Sequence, residues 1–180
     1  MPEPILETER LILRPPQAGD LDAWAAMMAD EETARFIGGV QPRQMVWRSL
    51  CVMAGGFALY GYAMFSVIEK STGRWIGRLG PWKPEGWPGT EIGWGLVRDV
   101  WGKGYATEGA AATMDWAFDH LGWTDIIHCI DEKNAPSRKV AERLGSTYRY
   151  DTNMPAPLEN MRVQIWGQTK DEWKARRAKA

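Results

Sequence analysis

Between residues 9 and 14, Leu11 and Leu13 alternate with charged and branched neighbours until Pro15-Pro16 halts them, the mark of a short first strand. Beyond it the period lengthens: Leu21, Trp24, Ala25 and Met28 share one helical face behind Asp20, which can cap it. The run Phe36-Ile37-Gly38-Gly39-Val40 interrupts that pattern, and Gln41-Pro42 restarts it with proline where a first helical turn tolerates it. Two helices joined by an apolar, glycine-containing loop are therefore expected, and such loops on rigid supports often line substrate sites. Residues 50–68 carry no charge, but Gly55, Gly56 and Gly61 break them at the centre and residues 62–68 have strand composition. A helix end followed by a buried strand is expected there, not a membrane span.

Residues 62–69 and 74–79 predict a hairpin turned by Lys70-Ser71-Thr72-Gly73, and the wider turn Pro84-Glu85-Gly86-Trp87-Pro88-Gly89 leads to a third antiparallel strand at 90–97. From 104 to 121, Ala110, Met114, Ala117, Phe118 and Leu121 fall on one face, giving a long amphipathic helix ended by Gly122. A strand at 125–130, a helix from Pro136 to Leu144 closed by Gly145, and strands at 147–153 and 162–168 follow. The capping box Thr169-Lys170-Asp171-Glu172 opens a terminal helix. Strand 90–97, helix 104–121 and strand 125–130 form a βαβ unit, so those strands run parallel with a right-handed crossover. The fold class is α+β with a mixed, mostly antiparallel sheet flanked by helices.

The chemistry concentrates where Glu91-Ile92-Gly93-Trp94-Gly95-Leu96 runs into Trp101-Gly102-Lys103-Gly104-Tyr105-Ala106-Thr107-Glu108 and then the long helix. Glycines let the backbone turn tightly and approach a ligand, and the free N–H groups of a first helical turn favour an anion. Two readings of a glycine-rich phosphate loop fail on spacing. A P-loop needs glycine where Val97 stands and Ser or Thr where Gly104 stands; a dinucleotide fingerprint needs a third glycine where Thr107 stands.

Composition narrows the class. At 180 residues, with 44% hydrophobic and 25% charged residues, a single domain over residues 1–180 is expected. A net charge of −1 with scattered Lys and Arg lacks the footprint of nucleic-acid binding, and the basic stretch at 174–179 reads as a solvated helix end. Cys51 and Cys129 indicate neither a disulfide framework nor a metal spacing, so a reducing, cytoplasmic setting without a bound metal is expected. Residues 1–7 lack a basic stretch leading into an apolar run, so no signal peptide is expected.

With these motifs in order, the chain resembles the GCN5-related N-acetyltransferase (GNAT) family, and within it the branch of ribosomal-protein N-terminal acetyltransferases. The resemblance is carried by Thr8 to Pro15, Phe36-Ile37-Gly38-Gly39, Glu91-Ile92-Gly93-Trp94, Trp101 to Glu108, and Asn134-Ala135-Pro136-Ser137 continuing to Arg143-Leu144-Gly145. It implies a sheet splayed between its two parallel central strands and acetyl-CoA as donor. Amides of Gly102, Lys103, Gly104, Tyr105, Ala106 and Thr107 would then hold the pyrophosphate, with Lys103 adding charge. Peptide groups of Leu96, Val97 and Arg98 would bind the pantetheine arm, Asn134 would hold the arm by its amide, and Ser137 would lie near the thioester sulfur. Plain alternatives stand beside these: Asn134 as a helix cap, Ser137 as a first-turn serine, Lys103 as a solvated lysine. The chain departs from the family pattern at Trp101, where Gln or Arg is usual, and at Ala141, where a tyrosine often serves as acid.

Acyl transfer to an amine needs a base, an oxyanion site and a proton for the thiolate. Glu91 is the candidate base, acting through water with a pKa raised by partial burial, against the plainer reading of an edge residue paired with an arginine. Amides around Gly95 and Leu96, freed by a bulge, are the oxyanion candidates. Ser137, Tyr105 or solvent would supply the acid. His128 reads as a structural strand histidine, His120 as a favourable helix-end charge, and Cys129 as a small apolar filler. Trp75, Trp82, Trp87, Trp94 and Trp101, with Phe36 and Ile37, are candidate walls of an acceptor pocket, although core filling accounts for most tryptophans by default. The acceptor is expected to be a primary amine, on a protein N-terminus or a small molecule, and the protein a monomer or homodimer. A rival reading is an acyl-CoA-binding module without turnover, supported by the Trp101 and Ala141 departures.

Overall fold

The computed structural model describes residues 4–179, so three of the residues read for a signal peptide, 1–3, lie outside it. An eight-stranded sheet runs in the order β1-β2-β3-β4-β5-β6-β8-β7. Its strands are β1 (Leu6–Glu7), β2 (Leu11–Arg14), β3 (Phe65–Glu69), β4 (Trp75–Trp82), β5 (Glu91–Leu96), β6 (Asp125–Ile130), β7 (Thr147–Asn153) and β8 (Arg162–Thr169). The helices are α1 (Leu21–Ala29), α2 (Glu31–Ala34), α3 (Arg43–Tyr60), α4 (Tyr105–His120), α5 (Ala135–Leu144) and α6 (Lys170–Arg177). Among the described residues, no helix is long and apolar enough to cross a membrane.

The expected α+β class and βαβ unit are present. β5 and β6 form the parallel pair, and every other pairing is antiparallel. That parallel pair meets at one register position, Glu91↔Ile127, with Ile127 N–H donating to the Thr90 carbonyl at 2.9 Å. Beyond it β5 runs on to Leu96 without β6 beside it. This is the splay, and it leaves one edge of a central strand open in the middle of the sheet.

Several expectations need correction. The first strand is preceded by β1, and the first expected helix is broken at Asp30, which accepts from Thr33 N–H and opens a separate α2 before the loop. β4 continues through Gly80-Pro81 to Trp82, where the expected strand ended at Leu79. Proline is tolerated because β3 pairs with β4 only as far as Phe65↔Leu79, so the missing N–H breaks no ladder. The bulge expected in β5 is absent. β4 and β5 keep unbroken register from Gly77↔Leu96 to Trp82↔Glu91, and the irregularity sits between β3 and β4, opposite Val67 and Ile68.

Leu79, Phe65, Ile92 and Met114 are fully buried, most of them between the sheet and α4, where Gly109 lets the helix approach Leu79. Opposite them, Trp24 of α1 stacks on Trp75 at 6.1 Å between centroids. Trp75 Nε1 donates to Ser66 Oγ at 3.0 Å, Ser66 donates to Asp20 Oδ2 at 2.7 Å, and Arg14 grips Asp20 with both terminal nitrogens at 2.6 and 2.9 Å. This buried network fixes the start of α1 against β2, β3 and β4, and so fixes the loop that follows α1 and α2.

Candidate active site

The open edge of β5 begins the site. Val97 N–H donates to the Ile76 carbonyl at 2.9 Å, so odd-numbered residues of β5 turn their peptide groups to β4 and even-numbered ones turn theirs to the gap. The even-numbered carbonyls agree with this: that of Ile92 accepts from His128 Nδ1 at 2.7 Å, and that of Leu96 from Trp101 Nε1 at 2.8 Å. Gly95 therefore spends its amide in the β4 ladder and is no oxyanion donor, while Leu96 N–H faces the gap. Of the three residues expected to meet a pantetheine arm, the carbonyls of Val97 and Arg98 are engaged by Val100 and Trp101 amides at 3.3 and 3.1 Å. The groups left over are the N–H of Leu96 and of Arg98, joined by the peptide groups of Trp94, which the sequence reading omitted.

At the mouth of the gap α4 starts on Gly104, held at φ +84° with no side-chain cap. Its first-turn amides, those of Tyr105, Ala106 and Thr107, point outward without a capping side chain, and Gly102 and Lys103 are exposed beside them. An anionic ligand fits that arrangement. Thr107 Oγ1 is buried without a partner. Arg10, missed by sequence reading, adds a charge here: it lies 4.4 Å over the Tyr105 ring and donates to the Lys103 carbonyl at 3.0 Å. It also pairs with Glu108, whose carboxyl stays below the usual range; burial opposes this, and bonds from Thr8 and Arg10 outweigh it. That pairing neutralises an acid that would repel phosphate. The Tyr105 hydroxyl donates to Glu69 Oε1 at 2.8 Å, inside the fold, and so is removed as a source of protons for the gap.

The far end of the gap opens into a cavity of about 280 Å³. Glu91 lies in it, buried on a central strand and not at an edge. It has no arginine within ion-pair distance; Trp87 Nε1 donates to Oε2 at 2.6 Å and the Cys129 amide to Oε1 at 3.2 Å. Burial raises its pKa, and the hydrogen bonds and the charge of Arg78 only partly oppose this. Cys129, beside it, has its thiol pKa driven up by burial and the nearby carboxylate, which suits filling and not nucleophilic attack. His128 is buried, with its pKa lowered to about 4 by desolvation. Its Nδ1 must donate to the Ile92 carbonyl, so Nε2 accepts from Ser146 Oγ at 3.0 Å, and Ser146 accepts in turn from Gln168 at 2.9 Å. The structural reading of His128 holds.

Asn134 and Ser137 open α5 on the other wall. Asn134 Oδ1 accepts from Ser137 N–H at 3.2 Å, which is the helix-cap reading, yet its amide nitrogen remains free beside the cavity. Ser137 Oγ accepts from Trp94 Nε1 at 3.2 Å, leaving its hydroxyl proton to donate. Ala141 is fully buried in packing, so no space is left there for a larger acid. Of the five tryptophans, Trp82, Trp87 and Trp94 line the cavity with Phe36 and Ile37; Trp75 is core, and Trp101 covers the Leu96 carbonyl. Arg78, Met64, Met154, Leu158 and Met161 line it too and were not foreseen. Only Arg78 left a sequence signal, a lone charge inside an apolar strand.

An open strand edge leads from an uncapped helix start to a cavity holding a buried carboxylate, an arrangement that suits an acyltransferase using acetyl-CoA. Residues 10–147 match the family model described as an acetyltransferase (GNAT) domain. The chain is 33% identical over 143 residues to the uncharacterized N-acetyltransferase p20 of Bacillus licheniformis, 77% of this chain and 80% of that protein. It is similar to a crystal structure of an acetyltransferase from Agrobacterium tumefaciens at 29% identity, TM-score 0.83, covering 94% of this chain and 96% of the other. It shares its fold with Mycobacterium smegmatis RimJ in complex with CoA-disulfide, at 19% identity and TM-score 0.75, over 94% and 89% of the two chains. This chain belongs to the GNAT acetyltransferase family.

Proposed function

We infer that residues 1–180 act as one catalytic domain that transfers the acetyl group of acetyl-CoA directly to a primary amine. The observation that carries this is the single register pair between β5 and β6, which leaves a strand edge free for an extended amide-bearing arm. The amides of residues 102–107, with Lys103 and Arg10, would hold the pyrophosphate, each charge-assisted bond contributing about 1.5–3 kcal/mol. Leu96 N–H, Arg98 N–H and the Asn134 amide would hold the arm.

The neutral amine attacks the thioester carbon; C–N forms as the carbonyl π bond opens to an oxyanion, and C–S breaks when that tetrahedral intermediate collapses. Leu96 N–H faces the developing oxyanion, a donor type worth roughly 10²–10³ in rate. Glu91 takes the amine proton through water, and its raised pKa suits that task. The thiolate takes a proton from Ser137 or solvent; a thiol pKa near 8.5 makes a strong acid dispensable. Steady release of free thiol across a panel of amines and N-terminal peptides tests the reading. Binding of acetyl-CoA with no turnover on any acceptor would make the protein a binding module instead.

Asn134→Asp separates the two roles of that residue. The carboxylate still caps α5, so the melting temperature should hold, while loss of the amide donor should weaken acetyl-CoA binding by about tenfold by calorimetry. Unchanged affinity would leave Asn134 as a cap alone.

A further inference from the structure

Arg78 stands in the middle of β4, and nothing in the chemistry above uses it. Its Cα partner is Gly95, four positions along from the Trp82↔Glu91 pair, so Arg78 and Glu91 share one face of the sheet. Between them on β5 the floor is glycine: a Cβ on Gly93 would press on Met64 and approach Glu91 Oε1, and one on Gly95 would press on Ile37. Arginine and carboxylate thus line the same cavity, with Met64 and Ile37 lying over the glycines between them, and no ion pair joins the two.

The guanidinium is poorly satisfied. Nη1 donates only to the Met64 sulfur, a weak acceptor, at 2.7 Å, and Nε is buried with no partner at all. The Trp24 ring, 5.7 Å away, supplies a cation–π contact but no acceptor. An arginine cannot shed its charge, so a buried one calls for an anion. Nη2 is left without a protein partner and can donate to a carboxylate that enters from the cavity, while Nε lies against protein atoms.

We propose that the acceptor is an amine bearing its own carboxylate, an α-amino acid or a similarly small aminocarboxylate, whose carboxylate accepts from Nη2 of Arg78 while its amine lies toward Glu91 and the open strand edge. The cavity, about 280 Å³, holds a molecule of that size and falls below the usual ~300–1,000 Å³ of sites for larger ligands. Phe36, Ile37, Trp82 and Trp87 beside it favour an apolar side chain on the acceptor. The proposal rests on the acetyl-transfer reading for its chemistry and on Arg78 alone for its selectivity.

The test measures binding first, by calorimetry with coenzyme A present, for phenylalanine, leucine and methionine against their amides and decarboxylated amines. Wild type should bind the free carboxylates roughly 10- to 100-fold more tightly, a difference of the size one charge-assisted contact gives. Arg78→Gln should erase that preference while leaving amide affinities within about threefold, and Arg78→Lys should restore part of it. Thiol release on the same compounds is the second readout. Carboxylate-selective binding without turnover would sink acetyl transfer and leave the subsite standing. Equal or absent binding of carboxylates, or an equal loss on all compounds in Arg78→Gln, would overturn the subsite whatever the turnover.

Discussion

Glu91→Gln is expected to lower kcat/KM roughly 10²–10⁴-fold, the usual contribution of a positioned general base, with acetyl-CoA affinity unchanged. The amide keeps the volume of the carboxylate and one acceptor oxygen for the Cys129 amide or Trp87 Nε1. Wild-type kcat/KM should rise with pH through an apparent pKa above the ordinary glutamate range, because the base works only when ionised and burial resists ionisation. That limb should vanish in the variant. Stability carries the opposite sign. A carboxyl whose folded pKa lies above its unfolded value favours the fold while protonated and weighs against it once pH exceeds the unfolded value of about 4.3. Glu91→Gln should therefore melt no lower than wild type at pH 7 and lose activity all the same. A variant that keeps its activity would remove Glu91 as base; one that loses activity and melting temperature together would mark a structural role.

Asp20→Ala should cost about 3–5 kcal/mol, the price of stranding one partner of a buried ion pair. For a chain of this length that is a drop in Tm of roughly 6–20 °C. Arg14 would lose both of its bonds to Asp20 and keep only that to the Pro15 carbonyl, Ser66 would lose its acceptor, and Trp75 would be freed to move with Ser66. Burial pushes the Asp20 carboxyl upward, but the bonds from Arg14, the Gln17 amide and Ser66 more than offset it, so the folded pKa is lowered. Its stabilisation is complete above the unfolded pKa of about 3.9 and lost as pH falls through the lower folded value. The gap in melting temperature between variant and wild type should hold from pH 8 to 5 and close in stronger acid. A gap that stays constant into acid would mean that packing, not charge, accounts for the loss.

Much of this architecture is legible along the chain. The glycine-led start of α4, the capping box of α6, the closing Gly145 of α5 and the order of the βαβ unit lie where local chemistry puts them, because cap, turn and period act over a few residues. The errors have a common cause. The expected strand ends at Leu79, before Gly80-Pro81, and only the length of β3 shows that a proline there breaks no ladder bond. Tyr105 read as a possible acid at the gap, yet Glu69, 36 positions away, holds its hydroxyl elsewhere.

The amino-acid order alone determined the fold class, the family, the glycine-led loop that opens α4 and Glu91 as a group of interest, since each is carried by short-range pattern. Tertiary structure alone decided which way each peptide group of β5 points, which tryptophans face the cavity, and that Arg78 and Glu91 line one cavity unpaired. Strand register and side-chain environment depend on partners distant in sequence. Desolvation, which raises the Glu91 pKa and leaves Arg78 in need of an anion, exists only once those partners have closed around them.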